Sequence, residues 1–346
     1  MKSLTQRPHC SQPKVKARKF AASVDTKRAS FILANQKKWV NGTLIKYFFL
    51  EGPESQRKVV RQAFQTWQKL GIGLSFTEVK NIDDAMVRIA FKNDGSWSYV
   101  GRDVLAIKKP KATMNFGWSL TEDAYGMTTA LHEIGHTIGF EHEHQSPFSG
   151  IEWDVPVVYS YFAAPPNKWS KAETDANVLD KLPANTLNGS TWDPKSIMEY
   201  QFDPGLVIKP APYRETGINP PGVLSSNDKK GVKALYPPVK ASKMVTLKLN
   251  KIAEIKAGSG GQSDFVFTAP ATGKYIFETK GELDTVMVIF EKGPKENYYM
   301  AGDDDSGLDK NAKIKLPLVK GRKYLINVRV MYAPLDSGGA IEVTSA

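Results

Sequence analysis

Four of the five histidines, His132, His136, His142 and His144, fall within thirteen residues. The segment reads HEIGHTIGFEH, or H-E-x-x-H-x-x-G-x-x-H. On a helix, His132 and His136 stand one turn apart on one face. Two imidazoles so placed can reach one Zn²⁺ at about 2.0–2.1 Å. Glu133 follows the first ligand and lies beside the open metal position, which suits a general base rather than a ligand. Gly139 lets the chain leave the helix through a left-handed conformation, and the turn returns His142 as a third ligand. Three protein ligands leave room for a water, as a catalytic zinc requires. By chance, H-E-x-x-H alone arises in roughly one chain of this length per hundred. The Gly and the third His cut that by about a further thousandfold. A purely structural zinc site is the competing reading. Such closed sites use four protein ligands, commonly cysteines, and the single Cys10 is far away in sequence.

These residues need a framework to position them. Residues 43–50 (TLIKYFFL) are β-rich and read as a buried strand. Pro53 then opens a helix, with Val60, Ala63, Phe64 and Trp67 on one stripe. Residues 74–79 and 86–91 are further strands, and 112–118 (ATMNFGW) suits an edge strand. The metal-site helix starts near Ser119 and Glu122, which have capping-box spacing, and turns Met127, Leu131, Ile134 and Ile138 to the core. An irregular stretch follows over 148–194, and 224–236 forms a closing helix stopped by Pro237 and Pro238. Beyond a linker at 239–246, Phe265, Phe267, Tyr275, Phe277 and the runs 285–290, 312–316 and 324–330 read as short strands of an all-β sandwich. The organisation expected is α+β over 39–238 followed by all-β over 247–346.

Composition agrees with two folded domains. The chain has 346 residues, 41% hydrophobic and 24% charged, which argues against disorder, collagen or coiled coil. No apolar run is long enough for a transmembrane helix. One cysteine excludes an intramolecular disulfide. The net charge of +11 suggests nucleic acid until it is mapped. Residues 1–50 hold eight Lys and three Arg against one Asp, so the basicity belongs to an N-terminal arm or prosegment over 1–38. A nucleic-acid partner is therefore not expected. The start, MKSLTQRPHC, lacks the apolar region of a signal peptide.

The extended histidine motif resembles the metzincin clan of zinc endopeptidases. GFEHEH looks most like the astacin-type and related bacterial peptidases, in which Glu, here Glu143, follows the third His. Residues 196–200 (SIMEY) resemble the astacin Met-turn, S-x-M-H-Y, with Glu199 in place of its His. The R-x-D-R-D sequence that follows the third His in astacins is absent, so the resemblance is to a divergent member, and it covers 39–238. It implies a metzincin-type catalytic domain of a twisted sheet plus an active-site helix. It also implies Met198 as a floor beneath the metal, and Tyr200 as a fifth zinc ligand or a phenol that holds the oxyanion. Glu133 would take a proton from the water and deliver it to the leaving amine. An edge strand would bind a protein or peptide substrate extended.

Residues 8–13 (PHCSQP) loosely resemble the cysteine switch of matrix metalloproteinases, which would make Cys10 a latch on the zinc. An incidental tail cysteine is the other reading of Cys10. The C-terminal stretch resembles the bacterial pre-peptidase C-terminal domain, an accessory module of secreted peptidases. Asp303, Asp304, Asp305 and Asp309 could supply oxygens to Ca²⁺, or form a solvated acidic turn. Two functions stay open: a zinc endopeptidase, or a secreted binding protein whose zinc site is structural or inactive. The accessory module suggests export by a route not visible in the sequence, and the missing signal suggests the cytoplasm.

Overall fold

Ile45, Tyr47 and Phe49 alternate with Leu44, Lys46 and Phe48, and only the first set is buried. That period of two makes residues Leu44–Phe49 a strand (β1) with one face committed to the core. The computed structural model describes residues 8–15, 37–182, 191–238, 244–294, 297–303, 306–308, 311–334 and 337–346. These form two compact units, one of which holds both the histidine-rich helix and residues 196–200.

In that unit, Pro53 sits just ahead of α1 (Glu54–Gln68), and the stripe Val60, Ala63, Phe64 and Trp67 is buried as its spacing requires. Strands β2 (Ser75–Glu78), β3 (Val87–Ala90), β4 (Trp97–Ser98) and β5 (Met114–Asn115) join β1 in the order β2-β1-β3-β5-β4. The β1–β3 and β3–β5 pairs are parallel, whereas β4 runs antiparallel to β5. The expected edge strand over 112–118 is corrected here: β5 is interior and β4 takes the edge. Two residues are too short a strand to leave a periodic trace in sequence.

The helix α2 (Tyr125–Thr137) begins after Ala124, later than Ser119 and Glu122 suggested. Ser119 instead bonds the Thr121 hydroxyl at 3.3 Å in the preceding turn. Leu131, Ile134 and Ile138 are buried, whereas Met127 is only partly so. The Trp67 indole N–H donates to the Leu131 carbonyl at 3.2 Å, locking α1 onto α2. Trp67 is fully buried, so Trp67→Ala should remove about 3–5 kcal/mol of stability. Denaturant unfolding followed by helical circular dichroism at 222 nm reads this directly, because the described helices all belong to this unit. A loss under about 1 kcal/mol would mean that the α1–α2 contact is not where the unit is held.

The stretch expected to be irregular contains β6 (Glu152–Trp153), α3 (Val155–Ala163) and α4 (Lys171–Thr174), which runs on into a wide turn over Asp175–Leu179. The sequence of α3, VPVVYSYFA, is β-branched and aromatic, a composition that speaks against a helix. The helix forms because Asp154 caps it and Val158 and Phe162 are buried. Next come β7 (Val207–Lys209), α5 (Ala211–Thr216) and the closing helix α6 (Ser226–Leu235), as its periodicity required.

The second unit is an all-β sandwich. One sheet has the order β13 (Asn297–Asp303), β12 (Asp284–Lys292), β15 (Lys323–Tyr332), β10 (Gln262–Thr268), β8 (Val245–Thr246). The other is β14 (Lys313–Leu318), β11 (Gly273–Gly281), β16 (Gly339–Ser345), β9 (Ile252–Ile255). Phe265, Phe267, Phe277, Tyr324 and Ile326 interleave in its core. The Asp303 carboxylate accepts from Ser306 N–H, Ser306 O–H and Lys313 N–H. These bonds support the acidic-turn reading over a calcium site; Asp304, Asp305 and Asp309 lie outside the described residues.

Candidate metal centre and active site

Helix α2 projects His132 and His136 from one face, with ring centroids 4.7 Å apart. The helix then ends in a Schellman motif. Gly139 has φ +105°, its N–H donates to His136 O at 2.8 Å, and Phe140 N–H donates to Gly135 O at 3.0 Å. That turn returns His142 to 4.6 Å from the His136 ring.

Each imidazole spends Nδ1 on an oxygen. His132 bonds Ile197 O at 2.8 Å, His136 bonds Phe140 O at 2.8 Å, and His142 bonds the Gln145 amide oxygen at 3.3 Å. A carbonyl only accepts, so Nδ1 carries the proton and Nε2 keeps its lone pair. The His132 Nε2 is buried with no hydrogen-bond partner, while Nε2 of His136 and of His142 face each other at 3.0 Å. Cys10 completes the group, and one donor atom from each of the four residues lies within 4.8 Å of the others. Three convergent imidazole lone pairs and one sulfur suit a tetrahedral divalent cation, zinc above all. Burial drives the His132 and His142 pKa values well down, which keeps both rings neutral as ligands must be.

Glu133 stands outside this donor set. It is fully buried, its Oε1 has no partner, and its Oε2 accepts from the Cys10 thiol at 3.5 Å. Burial pushes its pKa up to about 8. Burial and the neighbouring Glu133 also push the Cys10 thiol up; a cation among the donors favours the thiolate instead.

Met198 lies against α2 at Gly135. A Cβ built there would meet the Met198 sulfur at 2.3 Å, so only glycine admits this approach. The Tyr200 hydroxyl donates to the Cys10 carbonyl at 2.5 Å, and its ring lies 4.5 Å from that of His142. Burial pushes the Tyr200 phenol well up. Residues 196–200 are fastened from behind by Asp228 of α6, which accepts from Ser196 O–H at 2.7 Å and Ile197 N–H at 2.8 Å.

Other residues at the site carried no advance signal of their role. Glu199, noted only as a departure from the astacin pattern, lies 3.3 Å from His144 Nδ1, with both side chains inaccessible. It also accepts from the Trp192 indole at 2.7 Å and from Tyr200 N–H at 2.9 Å. His144, the fourth histidine of the cluster, lies with its ring tilted against that of Tyr200, centroids 4.6 Å apart, rather than joining the donor group. Glu143 accepts from Asp193 N–H at 2.8 Å, and burial pushes its pKa up to about 7.

Residues 8–15 lie along this site. Ser11 N–H donates to Ser96 O at 3.0 Å, next to edge strand β4. Asn167 and Asn177 accept the backbone N–H groups of His9 and Gln12, both at 2.9 Å. The Tyr125 hydroxyl donates to Pro8 O at 2.9 Å, and the Gln12 amide donates to Glu141 at 2.9 Å. A cavity of about 250 Å³ beside Glu133 is walled by Trp118, Tyr125, Thr128 and Pro221.

Comparison with known proteins agrees with this geometry. The family model described as Astacin, a peptidase family, matches residues 31–204, just over half of the chain. Bone morphogenetic protein 1 of Xenopus laevis is 27% identical over 213 residues, covering 58% of this chain and 27% of that protein. The zinc metalloproteinase nas-8 of Steinernema carpocapsae is 27% identical over 168 residues, covering 47% of this chain and 34% of that protein. The chain thus spans about a quarter to a third of the length of these relatives. Among solved structures, myroilysin is 33% identical with a TM-score of 0.54, over 59% of this chain and 97% of that one. With the motif, the fold and the family match in agreement, the chain belongs to the astacin family of peptidases.

Proposed function

We propose that the chain is a zinc-dependent endopeptidase that hydrolyses peptide bonds in proteins and is held latent by its own residues 8–15. The observation that carries this reading is the convergence of three imidazoles, each with Nδ1 committed to an oxygen, next to a buried carboxylate outside the donor set. His132, His136 and His142 would hold the zinc. Once held, Zn²⁺ supplies Lewis-acid chemistry, bringing the pKa of a water to about 7 and polarising a carbonyl.

The remaining steps belong to the protein. Glu133 takes a proton from the attacking water and hands it to the leaving amine. The Tyr200 hydroxyl, which donates to a carbonyl of the arm, donates in the same way to the oxyanion of the substrate. Main-chain groups beside β4, such as Ser96 O, bind the substrate backbone extended. Such groups read peptide rather than side chain, in keeping with a protein substrate. The family and the appended β-sandwich favour action after export. Among the described residues, no helix is long and apolar enough to cross a membrane.

Latency follows from Cys10. Its Sγ belongs to the donor set and its carbonyl takes the Tyr200 hydroxyl, so one arm residue occupies both the metal position and the oxyanion donor. Cys10→Ala should raise basal activity with zinc content unchanged. The rise is about tenfold if Sγ contributes only about 1.4 kcal/mol to holding the arm. A fluorogenic-peptide assay with metal analysis reads both quantities, and no rise would remove the switch. The activity itself is tested by digestion of casein that stops with chelator and returns with zinc. Stoichiometric zinc without any cleavage would favour a structural site instead.

A further inference from the structure

Cys10 is not the only arm residue buried in the cleft. His9 is 8% exposed and sits in a box of five aromatic rings. Phe162 and Tyr200 lie with centroids 5.0 Å away, Phe202 at 6.1 Å, Trp169 at 6.3 Å and Tyr161 at 6.4 Å. The box also has two polar contacts at opposite corners of the imidazole. His9 Nε2 donates to Gln201 O at 2.8 Å, and His9 Nδ1 accepts from the Asn167 amide nitrogen at 3.3 Å. The amide orientation is set independently, because Asn167 Oδ1 accepts the His9 backbone N–H. Both ring nitrogens are thereby satisfied in one neutral tautomer. A tail residue that only happened to fall there would not find an acceptor for one nitrogen and a donor for the other inside an apolar cage.

Position supplies the rest, on the reading of the cleft as that of a peptidase. Glu133 returns its proton to the leaving amine, so the amine half of the substrate lies on the Glu133 side, along the earlier turns of α2. Pro8 and His9 lie on that side, as the Tyr125–Pro8 bond shows. Ser11 and Gln12 lie on the other, towards Glu141. We propose that the aromatic box is a side-chain pocket of the cleft for a planar ring with a polar edge, an imidazole or a phenol. His9 fills it in the latent chain. When the arm leaves, it takes a His or Tyr side chain from the first two residues after the cut bond.

The test uses the full chain. In metal-free protein, His9→Ala should accelerate amide hydrogen exchange at Ser11 and Gln12 by at least about tenfold, which two modest hydrogen bonds alone supply. Cys10→Ser should change it far less, and His9→Tyr should keep most of the protection. Unchanged exchange in His9→Ala overturns the pocket, whatever the enzyme does. Zinc-loaded chain carrying His9→Ala together with Cys10→Ala, which frees the metal position, is then given a peptide library. Cut sites should be enriched in His and Tyr at the two positions after the scissile bond. Adding Asn167→Ala should lower kcat/KM for His-containing over Ala-containing peptides by about tenfold. Equal rates for both peptide classes overturn the substrate role. If no peptide is cut at all, the peptidase reading and the substrate role fall together, while exchange still reads the pocket itself.

Discussion

Glu133→Gln should keep its zinc and lose peptide hydrolysis by about 10²–10⁴-fold, the usual range for removal of a general base. The two side chains have nearly the same shape, so the cavity is not changed. The carboxylate lies outside the donor set, so metal content is expected to stay stoichiometric. What the amide cannot do is accept a proton from water and release it to an amine. The Glu133 Oε1 is buried without a partner, and burial pushes the carboxyl pKa up to about 8; a bound cation and departure of the arm bring it back towards the ordinary carboxylate range. Three measurements decide it together: kcat/KM on a fluorogenic peptide, elemental zinc and the melting temperature. Turnover within a few-fold of wild type, with zinc and stability intact, would assign the base elsewhere.

The parts of this molecule that are legible in sequence are those whose signal is local. The i, i+4 imidazoles, Gly139 and the stripe on α1 each declare a conformation within one or two helical turns, and each forms as its spacing requires. The β-sandwich strands are legible for the same reason, since sustained alternation of apolar and polar residues has the period of a strand and of little else. What stays hidden depends on partners distant in the chain. Strand β4 is two residues long and exists because β5 pairs with it. Helix α3 forms against its own composition because an aspartate caps it and two side chains find a core. Gly135 would weaken an isolated helix, but its missing Cβ is what lets the Met198 sulfur approach. The arm is the extreme case: Asn167 and Asn177 lie 158 and 165 residues from the amides they bind, beyond any pattern in the chain.

The third imidazole can be tested apart from the helix pair, provided Cys10 is taken into account. With the arm in place, His142→Ala still leaves His132, His136 and the Cys10 sulfur around the site, and three donors suffice to retain a zinc ion. The single variant is therefore expected to keep metal while losing activity. In a Cys10→Ala background, the same substitution leaves two imidazoles, and zinc affinity should fall by more than about 100-fold. That bound follows because losing an outer-shell partner alone costs about 10–100-fold. Asp228→Asn provides the comparison. Asp228 accepts the Ile197 N–H, and the carbonyl of that same residue orients His132, so its loss belongs in that outer-shell range. Competition against a chromogenic chelator should rank Cys10→Ala alone tightest, Cys10→Ala with Asp228→Asn next, and Cys10→Ala with His142→Ala weakest. If the last two were reversed, His142 would be a neighbour of the metal rather than a ligand, and the Schellman turn at Gly139 would lose its functional meaning.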